Sequence, residues 1–521
     1  MEKVELKDRE LPGDIINYIS NLETDINSLK VEIENLEEKL QLALFKKYGR
    51  SSEKIDPSQI DFFEEPEADE EPIEEVKTTV ASHSRKKKGR KPLDQNIPRK
   101  IIVHDIDEAD KKCACGHDLV KVDEEITERL QIIPERVYVE QHVRPKYACK
   151  RCEGSGDEDK PAFRMAQTPP TIIPRSIVTP GLLAFIFVNK FVDHLPFYRQ
   201  EKRFERIGAH ISRQNMSNWS MKVYTALKPL EKLLKQEVKS GTYIQMDETP
   251  LQVLSEPGRL ATSKSYMWLA RGGPPETPIV YYNYQETRKS LFVKEFLEGY
   301  SGFLQSDGYK GYEAALKGNK DIVHVGCLAH VRREFHDAVK ASKKAGSANI
   351  ALLKIQKFYR IEKELRSLGL SADDFLERRK REIEPIAEDF KAWLDDKALK
   401  VRPGNNTGKG ISYALGQWDK IIRYLDCAEL TPDNNAAERS IKPFVVGRKN
   451  WLFSGSPTGA NASALLFSLI ETAKANDLNP YGYLKFIFEQ TPLFKSDKDF
   501  EKLLPGNCDR EEINRIQFYG L

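Results

Sequence analysis

Apolar residues near the N-terminus recur at Ile15, Ile19, Leu22, Ile26, Leu29, Ile33, Leu36 and Leu40. Spacings of four and three alternate without a miss, which predicts a coiled-coil helix. An amphipathic helix docked on its own domain fits less well, because nothing apolar follows nearby. Placing Ile19, Ile26 and Ile33 at a, with Leu22, Leu29 and Leu36 at d, gives the combination that favours two parallel strands. Asp25 and Lys30 then form an attractive pair across the seam, whereas Glu32 faces Glu37. The flanking charges specify pairing weakly, so the apolar seam supplies most of the association.

Helical patterning returns from about residue 170 to 240. Residues 197–207, the turn Gly208-Ala-His-Ile211, and a second segment capped by Ser212 and running to Trp219 have a helix-turn-helix-like shape. Arg213, Gln214 and Asn218 stand where a recognition helix would read bases. A purely structural hairpin with a polar cap accounts for the same pattern equally well. The period then changes to two. Tyr243, Ile244 and Met246 predict a strand that ends at Asp247, and residues 302–306 predict another that ends at Asp307, before the turn residue Gly308. Residues 266–271, 278–284 and 322–325 are also strand-like, and 287–297 are helical. A separation of 131 positions divides Asp307 from Glu438. Helical periodicity at 351–368, 375–394 and 411–425 fills it with an α-helical insertion, and Gly404-Asn-Asn-Thr-Gly-Lys-Gly410 reads as a flexible loop within it. Trp393 and Trp418 read by default as core, with stacking on an unpaired base as the second reading. Pro432, Asp433 and Asn434 signal a helix start that puts Glu438 in the first or second turn.

Charge changes the picture in the linker. Nine acids and no Lys or Arg occupy residues 61–75, with Pro66 and Pro72 interrupting, which predicts disorder. Six of the seven residues 85–91 are basic, among them Lys86, Lys87, Lys88 and Arg90. Such an arm suits phosphates or a narrow minor groove, although a basic run is often only a solvated tail. The net charge of +2 hides this asymmetry.

Four of the seven cysteines form two close pairs, Cys113 with Cys115 and Cys149 with Cys152. Thiolates so spaced can complete a zinc tetrahedron. The first pair has one intervening residue instead of two, which leaves His117 as a possible substitute ligand. Between the pairs, residues 136–145 alternate like a ribbon strand, with Val137, Val139 and Val143 on one face.

Asp247, Asp307 and Glu438 lie on two strand ends and one helix, so they can converge. Each acid alone is more simply read as solvated or ion-paired. Together, three carboxylates without a paired base suit Mg²⁺, which prefers oxygen ligands. Two such ions about 4 Å apart activate an attacking hydroxyl and stabilise the leaving oxygen of a phosphodiester.

The wording around the acids is more specific. Asp247-Glu-Thr-Pro, Ser-Asp307-Gly-Tyr-Lys-Gly-Tyr312, Gly326-Cys-Leu-Ala-His-Val-Arg-Arg-Glu-Phe335, Asn434-Asn-Ala-Ala-Glu-Arg-Ser-Ile-Lys-Pro443 and Gly447-Arg-Lys-Asn-Trp-Leu-Phe-Ser-Gly-Ser456 resemble the insertion sequence sixty-six family of bacterial transposases. The likeness extends from Tyr48-Gly-Arg-Ser-Ser-Glu-Lys54 to Leu469-Ile-Glu-Thr-Ala-Lys-Ala-Asn476. It implies a ribonuclease H-like domain with an Asp-Asp-Glu triad at Asp247, Asp307 and Glu438, two Mg²⁺ ions, and one structural zinc at Cys113, Cys115, Cys149 and Cys152. Cys327 and His330 are similar to a Cys-x-x-His signature of such enzymes, and capping or core packing explains the pair as well. Arg439, Lys442, Arg448 and Lys449 are placed to steady phosphates, and Asn434 and Asn435 to shape the approach of Glu438.

The expected architecture is multidomain: a coiled coil (1–50), a disordered linker and arm (51–100), a zinc-binding ribbon (101–165), a helix-turn-helix-like region (166–240), a ribonuclease H-like α/β core (241–342 and 429–490) split by an α-helical insertion (343–428), and a C-terminal segment (491–521). With 40% hydrophobic and 31% charged residues, no apolar run of membrane length and no apolar N-terminal signal, the chain reads as cytoplasmic. The expected function is a DNA transposase acting on element ends and target DNA as at least a homodimer, with companion proteins of the element as further partners. The rivals are an inactive DNA-binding regulator or assembly factor on the same scaffold, and a nuclease without strand transfer. Sedimentation of a segment spanning residues 1–50 is expected to show a dimer at tens of micromolar. A monomer, or an antiparallel pair by crosslinking, contradicts the seam.

Overall fold

In the computed structural model the chain divides into two units, residues 1–64 with 143–521 and residues 65–142. The structure describes residue 101, residues 137–148, 163–341 and 346–515, and eleven helical positions between Tyr18 and Leu40. The basic arm, His117 and all four paired cysteines lie outside the described residues. Of the predicted seam, Leu22, Ile26, Leu29, Ile33, Leu36 and Leu40 are helical, and every one of them is exposed in the single chain. In the smaller unit, Ile101 and residues 137–142 are exposed.

The alternating stretch before Pro145 is not a strand. Val137, Val139 and Val143 are exposed and unladdered, and pairing begins only after the proline, which has no N–H to donate. There β1 (Lys146–Ala148) pairs antiparallel with β2 (Phe163–Met165).

Four helices follow: α1 (Pro180–Phe191), α2 (Phe197–Arg206), α3 (Arg213–Ala226) and α4 (Lys228–Glu237). The turn between α2 and α3 includes Gly208, and the Ser212 hydroxyl caps α3 by accepting from the Asn215 amide at 3.2 Å. Met216, Trp219 and Val223 of α3 are buried, while Arg213 and Gln214 are exposed and Asn218 is half-buried.

The central sheet has the order β5-β4-β3-β6-β7. Its strands are β3 (Tyr243–Gln252), β4 (Lys264–Gly272), β5 (Ile279–Gln285), β6 (Gly302–Gln305) and β7 (Ile322–Val325). The first three meander antiparallel, whereas β6 and β7 join in parallel through α5 (Ser290–Phe296) and α6 (Lys310–Leu316). The core is a mixed α/β layer, with the element order that the periodicities predict.

From β7 the chain enters α7 (Leu328–Ala341), α8 (Ser347–Arg366), α9 (Ala372–Lys400) and α10 (Asn406–Ile421), which share a second apolar core. Trp418 is buried in it and Trp393 stacks on Phe390 at 6.1 Å, so both belong to this packing. Residues 404–410 are not a flexible loop. Asn405 caps α10 through the Gly408 amide at 2.7 Å, and residues 406–410 are already helical. Gly408 is needed for contact instead of freedom, because a Cβ there would strike the Arg402 carbonyl.

The chain returns through α11 (Asn435–Trp451), then α12 (Pro457–Ala475), α13 (Pro480–Gln490) and α14 (Arg510–Arg515). Apolar α12 lies on β5. Its Ser468 hydroxyl accepts the Tyr282 amide at 2.8 Å, and Thr472 accepts from the Val280 amide at 3.0 Å and donates to the Val280 carbonyl at 3.1 Å. These bonds satisfy backbone groups that an outermost strand would otherwise leave open.

Arg379 joins the helical layer to the return segment. It is fully buried, pairs with Glu362 at 2.6 Å, and donates to the carbonyls of Tyr424, Cys427 and Leu430 at 2.8–2.9 Å. Arg366 adds a second bond to Leu430, also at 2.8 Å. Without Arg379, Glu362 keeps only the partly exposed Arg366 at 2.8 Å, and the carbonyls of Tyr424 and Cys427 each lose a buried charged donor. Arg379→Met is therefore expected to cost on the order of 3–5 kcal/mol in local opening. Native-state hydrogen exchange across α8 to α10 measures it, and a change below about 1 kcal/mol, the range of surface pairs, contradicts this account.

Candidate active site

Strands β3 and β6 run side by side in parallel, with Gln245 opposite Gln305. Two residues further on, each chain reaches its acid, Asp247 or Asp307. Side chains two apart share a face, so each glutamine lies on the same side as the acid that follows it. The Gln245 amide donates to the Gln305 side-chain oxygen at 2.7 Å, and both groups are buried. Beyond β6, the Asp307 carboxylate accepts from the Tyr309 amide at 3.0 Å, which fixes the turn through Gly308.

Glu438 arrives in the first turn of α11, and the approach of this helix is stitched to the sheet. The Gln305 amide donates to the Thr431 carbonyl at 2.8 Å, and the Asn434 amide donates to the Met246 carbonyl at 2.8 Å. From α7, the Leu328 amide donates to the Pro432 carbonyl at 2.9 Å, and the Cys327 sulfur accepts from the Asn434 amide at 3.3 Å. Asn434 is thus the helix N-cap by position, but its side chain bonds the neighbouring strand. Asp433 supplies the local turn by accepting from the Asn435 amide at 3.1 Å.

The acids feel one another. Burial pushes the Asp247 carboxyl up to about 8, and the negative charges of Glu248, Glu438 and Asp307 push in the same direction. Burial also raises Glu438, against the pull of Arg333, which contacts it at 3.2 Å. The other Glu438 oxygen is buried without a hydrogen-bond partner. His330 Nδ1 is 3.7 Å from it, and Cys327, His330 and Glu438 form a cluster of ligand atoms within 4.8 Å of one another. A buried excess of carboxylate oxygen with an unused lone-pair site is an environment that a hard divalent cation would neutralise. The ligand atoms gathered at this point are those of Cys327, His330 and Glu438, and Asp247 and Asp307 stand near enough for their charges to act on Glu438 or on each other.

Glu248 belongs to a different set. Its carboxylate accepts from Arg288 Nε at 2.6 Å and from the Tyr312 hydroxyl at 2.6 Å, so its charge is matched. On α11, Arg439, Lys442 and Lys449 are exposed, and Arg448 reaches the Thr249 hydroxyl at 3.2 Å. The structure therefore brings Cys327, His330 and Glu438 together, ties Asn434 and Asn435 to the same helix start, and sets Asp247 and Asp307 within reach of that charge. Arg213, Gln214 and Asn218 lie apart from it on α3. The reading of the sequence passed over Gln245 and Gln305, whose signal was their shared offset of two from each acid, and it assigned no role to Arg333.

Comparison with known sequences bears on what this constellation is. A family model described as "Transposase IS66 family" matches residues 175–462, more than half of the chain, with all three acids inside the match. The chain belongs to the IS66 transposase family. Three further models of that family match this IS66 chain: the "zinc-finger binding domain of transposase IS66" at 110–153, "Transposase C of IS166 homeodomain" at 35–102, and the "IS66 C-terminal element" at 468–505. The zinc-finger match spans all four paired cysteines. Two uncharacterised Sinorhizobium fredii proteins are similar along most of their length. The one designated y4jD is 31% identical over 435 residues, covering 81% of this chain and 83% of its own. The one designated y4qI is 30% identical over 519 residues, covering 95% and 93%. Among the described residues of this IS66-family chain, no helix is long and apolar enough to cross a membrane.

The charge frustration at Asp247 predicts a pH dependence of the metal-free protein. Folded, Asp247 keeps its proton up to about pH 8, whereas an ordinary aspartate loses it near 3.8. Between those values the native state binds more protons than the unfolded one, so this group lowers stability as pH rises through the window. Asp247→Asn removes the group. The variant is expected to match wild type near pH 4 and to exceed it near pH 8 in urea unfolding, and a difference that stays flat across that range contradicts the assignment.

Proposed function

We propose that this IS66 chain is a DNA transposase that binds the ends of its element, cuts a phosphodiester to free a 3′-hydroxyl, and joins that hydroxyl to target DNA. The observation that carries the reading is that Asp247, Asp307 and Glu438 lie close enough to act on one another's charge, around an Asp247 carboxyl that burial first, and those neighbouring charges second, hold protonated. A catalytically dead regulator would have no need to keep three acids this close, with Arg333 set against them at Glu438. The order of three antiparallel and two parallel strands supports a ribonuclease H-like core at 241–342 and 429–490, interrupted by the helical insertion at 343–428.

In this reading Asp247, Asp307 and Glu438 hold two Mg²⁺ ions. When bound, those ions supply activation of a water or a DNA hydroxyl and stabilisation of the leaving oxygen. The chain's own residues do the positioning. Arg333 holds one oxygen of Glu438, Asn434 ties the start of α11 to β3, and Cys327 receives the amide of Asn434. Arg439, Lys442, Arg448 and Lys449 line the same helix and steady backbone phosphates. Arg213 and Gln214, exposed at the start of α3, and Asn218 one turn later read base edges. Lys86, Lys87, Lys88 and Arg90 add affinity without sequence choice. Cys113, Cys115, Cys149 and Cys152 hold one structural zinc, with His117 as the alternative ligand. The exposed seam from Leu22 to Leu40 pairs two chains, and companion proteins of the element complete a cytoplasmic assembly.

The test is cleavage and joining of terminal-repeat DNA in Mg²⁺. Asp247→Asn, Asp307→Asn and Glu438→Gln each keep shape while removing a negative ligand. Each is expected to abolish nicking and joining together while leaving DNA binding intact. Glu248→Gln, whose partners are Arg288 and Tyr312, is expected to cleave at a lowered melting temperature. A dead Glu248→Gln beside an active Asp247→Asn overturns the assignment. Nicking without joining favours a nuclease of the same fold.

A further inference from the structure

Leu452 terminates α11 in a conformation that leucine disfavours. Its φ and ψ are 68° and −46°, and the Phe453 amide donates to the Trp451 carbonyl at 2.8 Å. This is the strained form of the three-residue turn, which glycine would adopt more cheaply. Among the described non-glycine residues with positive φ, Leu452 alone is apolar. Burial does not offset the strain, because Leu452 is 64% exposed and the adjoining Phe453 is 43% exposed. Two apolar side chains thus stand on a sharp, strained tip in water.

The tip cannot retract. On one side Trp451 packs edge-on to Phe191 at 6.2 Å under the Lys190 ammonium, and Gly447 leaves room for its ring. On the other, the Ser454 amide donates to the Gln252 carbonyl at 2.9 Å, and the Leu254 amide donates to the Ser454 carbonyl at 3.0 Å. Both supports also carry the acids. Thirteen helical residues from Glu438 to Trp451 span about 20 Å, and six strand residues from Asp247 to Val253 also span about 20 Å. The two rulers agree on the distance from acids to tip. At about 3.4 Å per base pair that is roughly six base pairs of duplex.

We propose that Leu452 and Phe453 are a wedge that opens the base stack of duplex DNA about six base pairs from the phosphodiester held at the acids. Apolar side chains beside phosphate-binding cations are the means by which proteins unstack and kink a duplex. Lys449, exposed in the last turn of α11, supplies such a cation. A protein partner fits less well, since two side chains on a ridge offer far less than the roughly 800 Å² per side of a stable interface. The proposal rests on the transposase reading of the acids.

The experiment uses the full chain and duplexes of the terminal repeats that flank its own gene, with 2-aminopurine walked along the DNA. Wild type is expected to raise fluorescence at a step about six base pairs from the cut. The double variant Leu452→Gly with Phe453→Ser is expected to lose that signal and to cleave intact DNA slower by on the order of 10- to 100-fold, the factor for opening one base step. A mismatch placed at that step is expected to restore the variant's rate. Its melting temperature is expected to equal or exceed that of wild type, because glycine relieves the turn. Unchanged fluorescence and cleavage in the variant overturn the wedge while leaving the transposase reading intact. So does a variant that falls apart as an oligomer, which would make the tip a protein contact. Failure of wild type to bind or cut the repeats overturns both readings.

Discussion

The bond between the Gln245 and Gln305 side chains is the contact on which the arrangement of the acids depends. It locks the parallel pairing of β3 with β6, at the level just before both strands deliver a carboxylate. Gln305 then donates onward to the loop before α11, so one buried amide pair sets the positions of all three acids relative to one another. Buried amides carry such a role well because each unsatisfied donor is costly, which makes the register hard to slip. The site needs this rigidity. Like charges brought together in a buried place repel, and only a framework stiffer than that repulsion keeps them converged.

The helical insertion contributes to the same end from the opposite direction. Arg379 and Arg366 collect carbonyls from the segment that leads into Asp433 and Asn434. A helical layer of its own apolar core therefore grips the entry to the helix that carries Glu438. Its length is not idle spacing between the second and third acids.

Much of this was legible in the residues. The alternation through Ile244 and Met246, the Gly308 turn and the Pro432-Asp433-Asn434 helix start each encode a local preference, and local preferences survive folding here. The Ser212 cap and the Gly208 turn were readable for the same reason. What failed were inferences from composition. The glycines at 404–410 suggested freedom, yet Gly408 and Gly410 serve close helix packing against Arg402 and Phe335. The valines before Pro145 alternate, but alternation makes a strand only where a partner strand can bond it. Asn434 reads as part of a helix start that shapes the approach of Glu438, but its bond to Met246 depends on a strand 188 positions away, which no local pattern reports.

The contact between α12 and β5 has a further meaning. A sheet whose last strand shows open amides and carbonyls invites another chain to extend it, by strand addition or by aggregation. Here Ser468 and Thr472 occupy those groups at Tyr282 and Val280. Copies of this protein are thereby barred from fusing their sheets along that edge. Any association between copies is left to surfaces other than the β5 edge.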